Sequence, residues 1–103
     1  MEKLKTIYIN NYGEYFKMKK LVIFKSPTCG PCKLFAPMVK QAAESIEAEY
    51  IEIDVSTEDG LKFASENGIT HSGCAWYEVD NEVKIKWDKP VPATKLLADI
   101  NNL

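Results

Sequence analysis

The fold of this chain is indicated most clearly by residues 21–32, whose sequence is LVIFKSPTCGPC. The segment opens with an uncharged apolar run from Leu21 to Phe24, which is typical of a strand covered on both faces in a parallel sheet. After Cys32, as far as about Glu49, apolar residues recur at intervals of three and four, at Phe35, Met38, Val39, Ala42 and Ile46. This spacing predicts an amphipathic helix. The segment therefore predicts a buried strand, a loop and a long helix, with the cysteines where the helix begins.

Similar patterns on either side of this unit predict the remaining elements. Four further strands are predicted, at Lys5–Asn10, Tyr50–Val55, Cys74–Val79 and Glu82–Trp87. Further helices are predicted at Tyr12–Met18, at Thr57–Asn67 with Ser56 as its cap, and after Pro92. The dipeptide Asp80-Asn81 tolerates positive φ, so it predicts a tight hairpin between the last two strands.

The order of the predicted elements is β-α-β-α-β-α-β-β-α, within one domain that spans residues 1–103. Strands joined through helices run parallel with right-handed crossovers, and the hairpin adds an antiparallel edge. We therefore expect an α/β fold. Its mixed five-stranded sheet would combine three parallel strands with the antiparallel hairpin, flanked by helices on both faces.

The composition excludes several classes of protein. Thirteen basic residues, all of them lysine, stand against fifteen acidic ones, for a formal charge of -2. This balance gives no electrostatic basis for binding nucleic acid or an anionic membrane. The longest uncharged apolar run, Leu21–Phe24, is far shorter than the ~20 residues of a membrane span, and nothing resembles a signal peptide. We expect a cytoplasmic protein, without nucleic acid or membrane as a partner.

The two cysteines of Cys29-Gly30-Pro31-Cys32 are candidates for redox catalysis. Unpaired amides and the dipole at a helix N-terminus stabilise a thiolate, and Pro31 is compatible with a first helical turn. We expect Cys29 to attack a substrate disulfide and Cys32, one turn further on and shielded, to resolve the mixed disulfide. Half of a structural zinc site and a pair of incidental core thiols remain as alternative interpretations.

The motif Cys29-Gly30-Pro31-Cys32-Lys33, with Pro37 four residues later, resembles the thioredoxin family over essentially the whole chain. The resemblance implies a thioredoxin fold, protein-disulfide reductase activity and a hydrophobic groove around Cys29. It implies disulfide-containing protein substrates, with ribonucleotide reductase a frequent target in the family, and a thioredoxin reductase or similar electron donor. We expect a monomer without a cofactor. The residues expected to shape its site are Thr28, Gly30, Pro31, Lys33 and Pro37.

The chain departs from the family pattern near the cysteines. Most thioredoxins have Trp where this chain has Thr28, and the stretch around Thr28 is more similar to small glutaredoxins and to phage thioredoxin–glutaredoxin intermediates. The family's buried acidic residue aligns with Ile23, and its lysine partner aligns with Tyr50. Cys32 would then lose its proton to water or to the departing thiolate. Lys25 is interpreted either as a cation near the site or as an exposed charge at the end of a strand.

The expected substrate-binding loop contains Ser72, Gly73 and Cys74, with Gly73 at the position of the family's cis-proline. Since a non-proline cis peptide costs roughly 3 kcal/mol, we expect a trans bond here. The glutathione binding of glutaredoxins, which uses this loop and its proline, does not carry over.

The same loop region contains the third cysteine, Cys74, and the single histidine, His71. If the two loops face each other, Cys29, Cys32, His71 and Cys74 are a possible ligand set for zinc or an iron–sulfur cluster, either within one chain or across a dimer. The alternative is that Cys74 is a small buried apolar residue and His71 a loop residue. A non-catalytic interaction subunit is a third hypothesis. Trp76 is predicted either to line the substrate groove or to pack under a helix.

Overall fold

A computed structural model of the chain describes residues 7–9 and 15–103, with side chains from residue 18 onward. Strands and helices follow one another along these residues, and each is named in chain order. They are β1 (Ile7–Ile9), β2 (Tyr15–Lys17), β3 (Lys19–Lys25), α1 (Gly30–Ser45), β4 (Glu49–Asp54), α2 (Glu58–Glu66), β5 (Cys74–Val79), β6 (Glu82–Trp87) and α3 (Ala93–Asn101).

The main sheet has four strands in the order β4-β3-β5-β6. Strands β3 and β4 are parallel, because α1 carries the chain back between them, while β5 runs antiparallel to both β3 and β6. The hairpin turn lies at Asp80 and Asn81, which have φ of 55° and 69°. The predicted α/β fold with a mixed sheet is therefore confirmed, and so is the predicted hairpin.

The prediction of a five-stranded sheet with three parallel strands is wrong. Strand β1 pairs antiparallel with β2, Ile7 opposite Lys17, in a separate two-stranded sheet, which leaves β3 and β4 as the parallel pair. The helix predicted at Tyr12–Met18 is wrong over Tyr15–Lys17, where the aromatic residues form β2, and its first three residues lie outside the described part. Two β-prone segments so close in sequence pair with little loss of loop entropy.

The two faces of the sheet are covered by different helices. Side chains alternate along β3, so Leu21 and Ile23 pack with residues of α1 and α3, whereas Val22 and Phe24 pack against the face that α2 covers. Trp76 is 2% exposed and packs edge-on against Phe24, with 5.0 Å between ring centroids. Trp76 therefore packs on the face of the sheet that α2 covers, instead of lining a groove.

Helix α2 begins after Thr57, whose hydroxyl accepts a hydrogen bond from the Gly60 amide at 3.0 Å. The predicted cap, Ser56, instead donates both its amide and its hydroxyl to the Asp54 carboxylate. A side chain at position 60 would overlap the Asp54 carbonyl oxygen, so this turn requires glycine. The N-cap of α2 is therefore Thr57, one residue after the predicted Ser56.

Candidate active site

The first cysteine of the motif caps the long helix. Cys29 precedes α1 in an extended conformation, and its sulfur accepts a hydrogen bond from the Cys32 amide at 3.2 Å. Its own amide donates to the Ser26 carbonyl at 3.1 Å, which closes the tight turn after β3. The end of the buried strand and the start of the helix together hold Cys29 at a helix N-terminus, where amides stabilise negative charge.

Cys29 and Cys32 form a disulfide, with 5.3 Å between their Cα atoms. Cys32 lies inside the first turn of α1 and is 1% exposed, with its sulfur 4.0 Å from the Phe24 carbonyl oxygen. Cys29 is only half-buried. The outer sulfur is thus the one that a disulfide of another molecule reaches first.

The neighbours of the pair leave its outer side open. Thr28, Gly30, Pro31 and Lys33 are exposed around Cys29, and no atom lies within 4 Å of where a Gly30 side chain would begin. Pro31 occupies the first turn of α1, where its missing amide breaks no helical hydrogen bond, while Pro37 lies inside the helix. The first turn therefore leaves the outer side of the disulfide uncrowded.

A cavity of about 460 Å³, which we call the Cys32 cavity, lies against the inner cysteine. It is formed by the turn after β3, one face of α1 and the side chains of β4. Its lining residues are Lys25, Ser26, Pro27, Cys32, Lys33, Ala36, Pro37, Lys40, Tyr50 and Glu52. The polar groups of the cavity are thus close to the second sulfur.

Glu52 is the centre of a small hydrogen-bonded cluster in this cavity. It accepts hydrogen bonds from the Tyr50 hydroxyl at 2.7 Å and from the Lys25 ammonium group at 3.2 Å. The bond from Tyr50 and the charge of Lys25 hold the pKa of Glu52 below its ordinary value, whereas burial and the bond to Glu52 raise the pKa of Tyr50. Lys25 is therefore ion-paired beside the site.

The sequence analysis did not identify this cluster. The missed signal is the alternation along β4, which puts Tyr50 and Glu52 on one face of the strand. Ile23, where the family's buried acid was expected, is fully buried in the apolar core beside α1. The ionisable groups that line the Cys32 cavity are instead on β4, at the end of β3 and on α1.

The loop before β5 places Gly73 beside the end of β3. Gly73 has a φ of 90°, and its amide donates a hydrogen bond of 2.7 Å to the Phe24 carbonyl oxygen. No peptide bond is cis in the described residues, as expected for this loop. A proline could supply neither this donor nor this φ, which explains why glycine replaces it here. Ser72, the preceding residue, is half-buried.

His71 and Cys74 contact each other across the same loop. The sulfur of Cys74, which is 3% exposed, lies 3.3 Å from His71 Nε2. That nitrogen donates to the backbone carbonyl of Asp88 at 2.8 Å, because a carbonyl can only accept. Burial, and then the charge of Asp88, raise the pKa of Cys74. Cys74 is therefore a shielded thiol.

The metal hypothesis required Cys29, Cys32, His71 and Cys74 to converge on one ion. Within the described part of the chain, no three His, Cys, Asp or Glu residues are grouped so that they could hold a metal. The structure joins these four residues as two separate pairs, Cys29 with Cys32 and His71 with Cys74. Within the described part of one chain, the four residues of the metal hypothesis therefore do not form one ligand set.

A second cavity near the motif is apolar. It has a volume of about 240 Å³ and lies between the start of α1 and the loop that leads to α3. It is lined by Pro31, Leu34, Phe35, Met38, Pro90, Val91 and Pro92. Leu34 is 72% exposed there, off the buried stripe of α1. Sequence reasoning did not single out Leu34, whose only signal is an apolar residue outside the helical periodicity.

Comparison with known proteins gives curated relatives over part of the chain. This chain is 39% identical to a thioredoxin of Pyropia yezoensis and to thioredoxin 1 of a Nostoc species. Each match extends over 49 residues, which are 48% of this chain and 46% of the relative. A third relative is the NADPH-dependent thioredoxin reductase 3 of Arabidopsis thaliana, 29% identical over 65 residues, 61% of this chain and 12% of that protein. The matched region is thus about half the length of the first relatives.

Solved structures match over more of the chain. A thioredoxin of Fasciola hepatica superposes with a TM-score of 0.68 at 26% identity, over 82% of this chain and 80% of that one. A mutant thioredoxin from Halobacterium salinarum superposes with a TM-score of 0.71 at 26% identity, over 82% of this chain and 73% of that one. The thioredoxin family model matches residues 5–98. With nearly all of its length matched by that model and its fold shared with these structures, the chain belongs to the thioredoxin family.

Proposed function

We propose that this protein is a thiol–disulfide oxidoreductase that reduces disulfides of other proteins. The observation that carries the proposal is the Cys29–Cys32 disulfide at the N-terminus of α1, in which residue Cys29 is half-buried and residue Cys32 is 1% exposed. Such a pair exchanges two electrons without a bound cofactor, because both electrons are stored in the two thiols. The matching thioredoxins support the same activity.

The first step uses reduced protein with Cys29 as the thiolate. The Cys29 sulfur attacks one sulfur of the substrate disulfide, so the S–S bond breaks and a mixed disulfide forms. The other substrate sulfur leaves as a thiolate and takes a proton from solvent. The Cys32 amide, which donates to the Cys29 sulfur, stabilises the attacking thiolate before this step.

The second step releases the product. Cys32 gives up its proton to water or to the departing thiolate, and its sulfur attacks Cys29 in the mixed disulfide. The bond to the substrate breaks, the internal disulfide forms, and the second substrate sulfur leaves as a thiol. In total, the substrate gains two electrons and two protons; the protein loses two electrons and the Cys32 proton, and solvent supplies the other proton. The short Cys29–Cys32 separation makes this step intramolecular and fast.

We propose that the exposed surface around Cys29 receives the substrate. Thr28, Gly30, Pro31 and Lys33 are the exposed neighbours of Cys29, and Pro37 lies further along α1. The loop of Ser72, Gly73 and Cys74 is the proposed opposite wall, and Ser72 is its partly exposed residue. The apolar cavity beside Pro31 adds Leu34 to this surface. Substrates approaching Cys29 would contact these residues before exchange.

The oxidised protein needs a reductant in order to turn over. A thioredoxin reductase is the proposed donor, and the sequence similarity to a thioredoxin reductase that carries a matching segment is consistent with such a pairing. Disulfide-containing proteins, among them ribonucleotide reductase, are the proposed substrates. The proposed compartment is the reducing cytosol. No helix in the described part is long and apolar enough to cross a membrane.

Turnover of a model protein disulfide tests the proposal. Wild-type protein, kept reduced by dithiothreitol, is expected to accelerate the reduction of insulin disulfides above the rate with dithiothreitol alone. Cys29→Ser should abolish this acceleration, because the attacking sulfur is gone. Cys32→Ser should also abolish sustained acceleration, because the mixed disulfide is no longer resolved internally. A wild type that gives no acceleration, or a Cys29→Ser variant that keeps it, contradicts the proposed function.

A further inference from the structure

The Cys32 cavity has a charge opposite to that of the chain as a whole. The protein carries a formal charge of -2, whereas three lysines and one glutamate line the cavity, a formal charge of +2. Two other cavities in the described region lack this feature: one is lined by apolar residues beside Pro31, and the other has His71 as its single titratable lining residue. Positive charge is therefore concentrated next to the redox pair.

Two of the three lysines point to a binding role because neither has a carboxylate within ion-pair distance in the described structure. Lys25 is paired with Glu52, but Lys33 and Lys40 form no ion pair with any carboxylate among residues 18–103. They are seven residues apart on α1, so both lie on the same face of that helix, which forms one wall of the cavity. The charge of Lys40 reaches Glu52 on the opposite wall, where it contributes to lowering the pKa of that carboxyl.

The cavity is also placed within reach of a substrate held at Cys29. Ser26 and Pro27, just before Cys29, and Lys33, just after Cys32, all line it. The two cysteines are 5.3 Å apart at Cα, and an extended chain advances roughly 3.3–3.6 Å per residue. A side chain about two residues from the attacked substrate cysteine can therefore enter the cavity while the mixed disulfide exists.

We propose that the Cys32 cavity is a specificity site that binds carboxylate side chains of the substrate, so that the protein prefers disulfides flanked by Asp or Glu. The inference rests on the proposed function and names the substrate class for it. Lys33 and Lys40 attract the substrate carboxylate, while Glu52 holds Lys25 in place at the rim. Surface charges of this kind mainly raise the rate of productive encounter, and their effect falls as salt screens them.

The test compares two synthetic peptides that contain one intramolecular disulfide and differ only in two residues. One peptide has Glu, and the other Gln, two positions away on either side of the same cysteine. Fully reduced protein, freed of reductant, is mixed with each peptide, and the rate of single-turnover reduction is followed by acid quench and chromatography. We expect the Glu peptide to be reduced about five times faster at low ionic strength. At about 1 M NaCl, where the screening length is roughly 3 Å, the ratio should approach one.

Two double variants with the same change in net charge locate the effect. The double variant Lys33→Gln, Lys40→Gln should bring the ratio of the Glu-peptide rate to the Gln-peptide rate close to one. The control double variant Lys62→Gln, Lys84→Gln, with its changes on α2 and β6, should keep the wild-type ratio. A wild-type ratio of one, with both peptides reduced, overturns the inference and leaves the proposed function standing. An equal loss of the ratio in both variants assigns it to overall charge and also overturns the inference. If neither peptide is reduced, the proposed function itself has failed.

Discussion

Substitutions at Gly73 test why this chain has glycine at the position where the family has a proline. Gly73 combines a φ of 90° with a buried amide that donates to the Phe24 carbonyl oxygen at 2.7 Å. Gly73→Ala keeps the donor, and open space surrounds the added carbon, so its cost is backbone strain alone, about 1–2 kcal/mol. Gly73→Pro also removes the donor, for a total of about 3 kcal/mol or more.

The free energy of unfolding in urea measures both variants, using oxidised protein so that the redox state is the same in every sample. With a urea slope of about 2 kcal/mol per molar, which is usual for a small domain, Gly73→Ala should lower the midpoint by roughly 0.5–1 M. Gly30→Ala is the matched control, since Gly30 has equally open space but no positive φ. That control should be neutral or stabilising by up to about 1 kcal/mol, because alanine favours a helix.

The order of the two Gly73 variants decides the outcome. If Gly73→Pro is as stable as wild type, or more stable than Gly73→Ala, then the amide bond to Phe24 does not hold this loop and the family's cis-proline geometry fits the chain after all. If Gly73→Ala matches the Gly30→Ala control, the positive φ is not a constraint. Either result would refute the structural reason given for the glycine.

Three further predictions concern other parts of the structure. Gly60→Ala should destabilise the protein by about 2 kcal/mol or more in urea, because its side chain would overlap the Asp54 carbonyl, and a neutral effect would contradict the packing there. Because the folded-state pKa of Glu52 is lowered, its ionised form stabilises the fold above about pH 4.5, and this contribution is lost as the pH falls through the lower folded value. Glu52→Gln should flatten the decline of the urea midpoint in that acid range, and an unchanged decline would argue against the cluster with Tyr50 and Lys25. Cys74, buried and with a raised pKa, should stay unreacted with Ellman's reagent in native oxidised protein and give one equivalent after unfolding in guanidinium, whereas rapid native labelling would show that it is exposed.

The unit from β3 to α1 and the final hairpin were predictable from local patterns. The apolar run of β3 and the three-and-four spacing of α1 are strong signals, and Asp80-Asn81 marks its turn because both residues tolerate positive φ. The bounds of β5 and β6 match the predicted ones residue for residue. The position of the cysteine pair at the start of a helix follows directly from these elements.

The remaining features depend on contacts between distant segments, which local patterns do not contain. Tyr15 and Phe16 suit a helix or a strand, and pairing with β1 selects the strand. The cluster around Glu52 exists because parallel pairing sets Glu52 opposite Ile23, so that Lys25, two residues further along β3, lies diagonally next to it. Which face of the sheet carries Cys74 likewise follows from its register opposite Phe24.

The central claim is that Cys29 attacks and Cys32 resolves, and trapping the mixed disulfide tests it most directly. Reduced Cys32→Ser protein is mixed with a protein disulfide substrate, and the adduct is mapped by mass spectrometry, with Cys29→Ser as the matched control. We predict a stable adduct through Cys29 in the first variant and none in the second, because Cys29 is the outer sulfur and Cys32 is 1% exposed. An adduct through Cys74, or one that forms through Cys32 in the Cys29→Ser protein, would contradict the account.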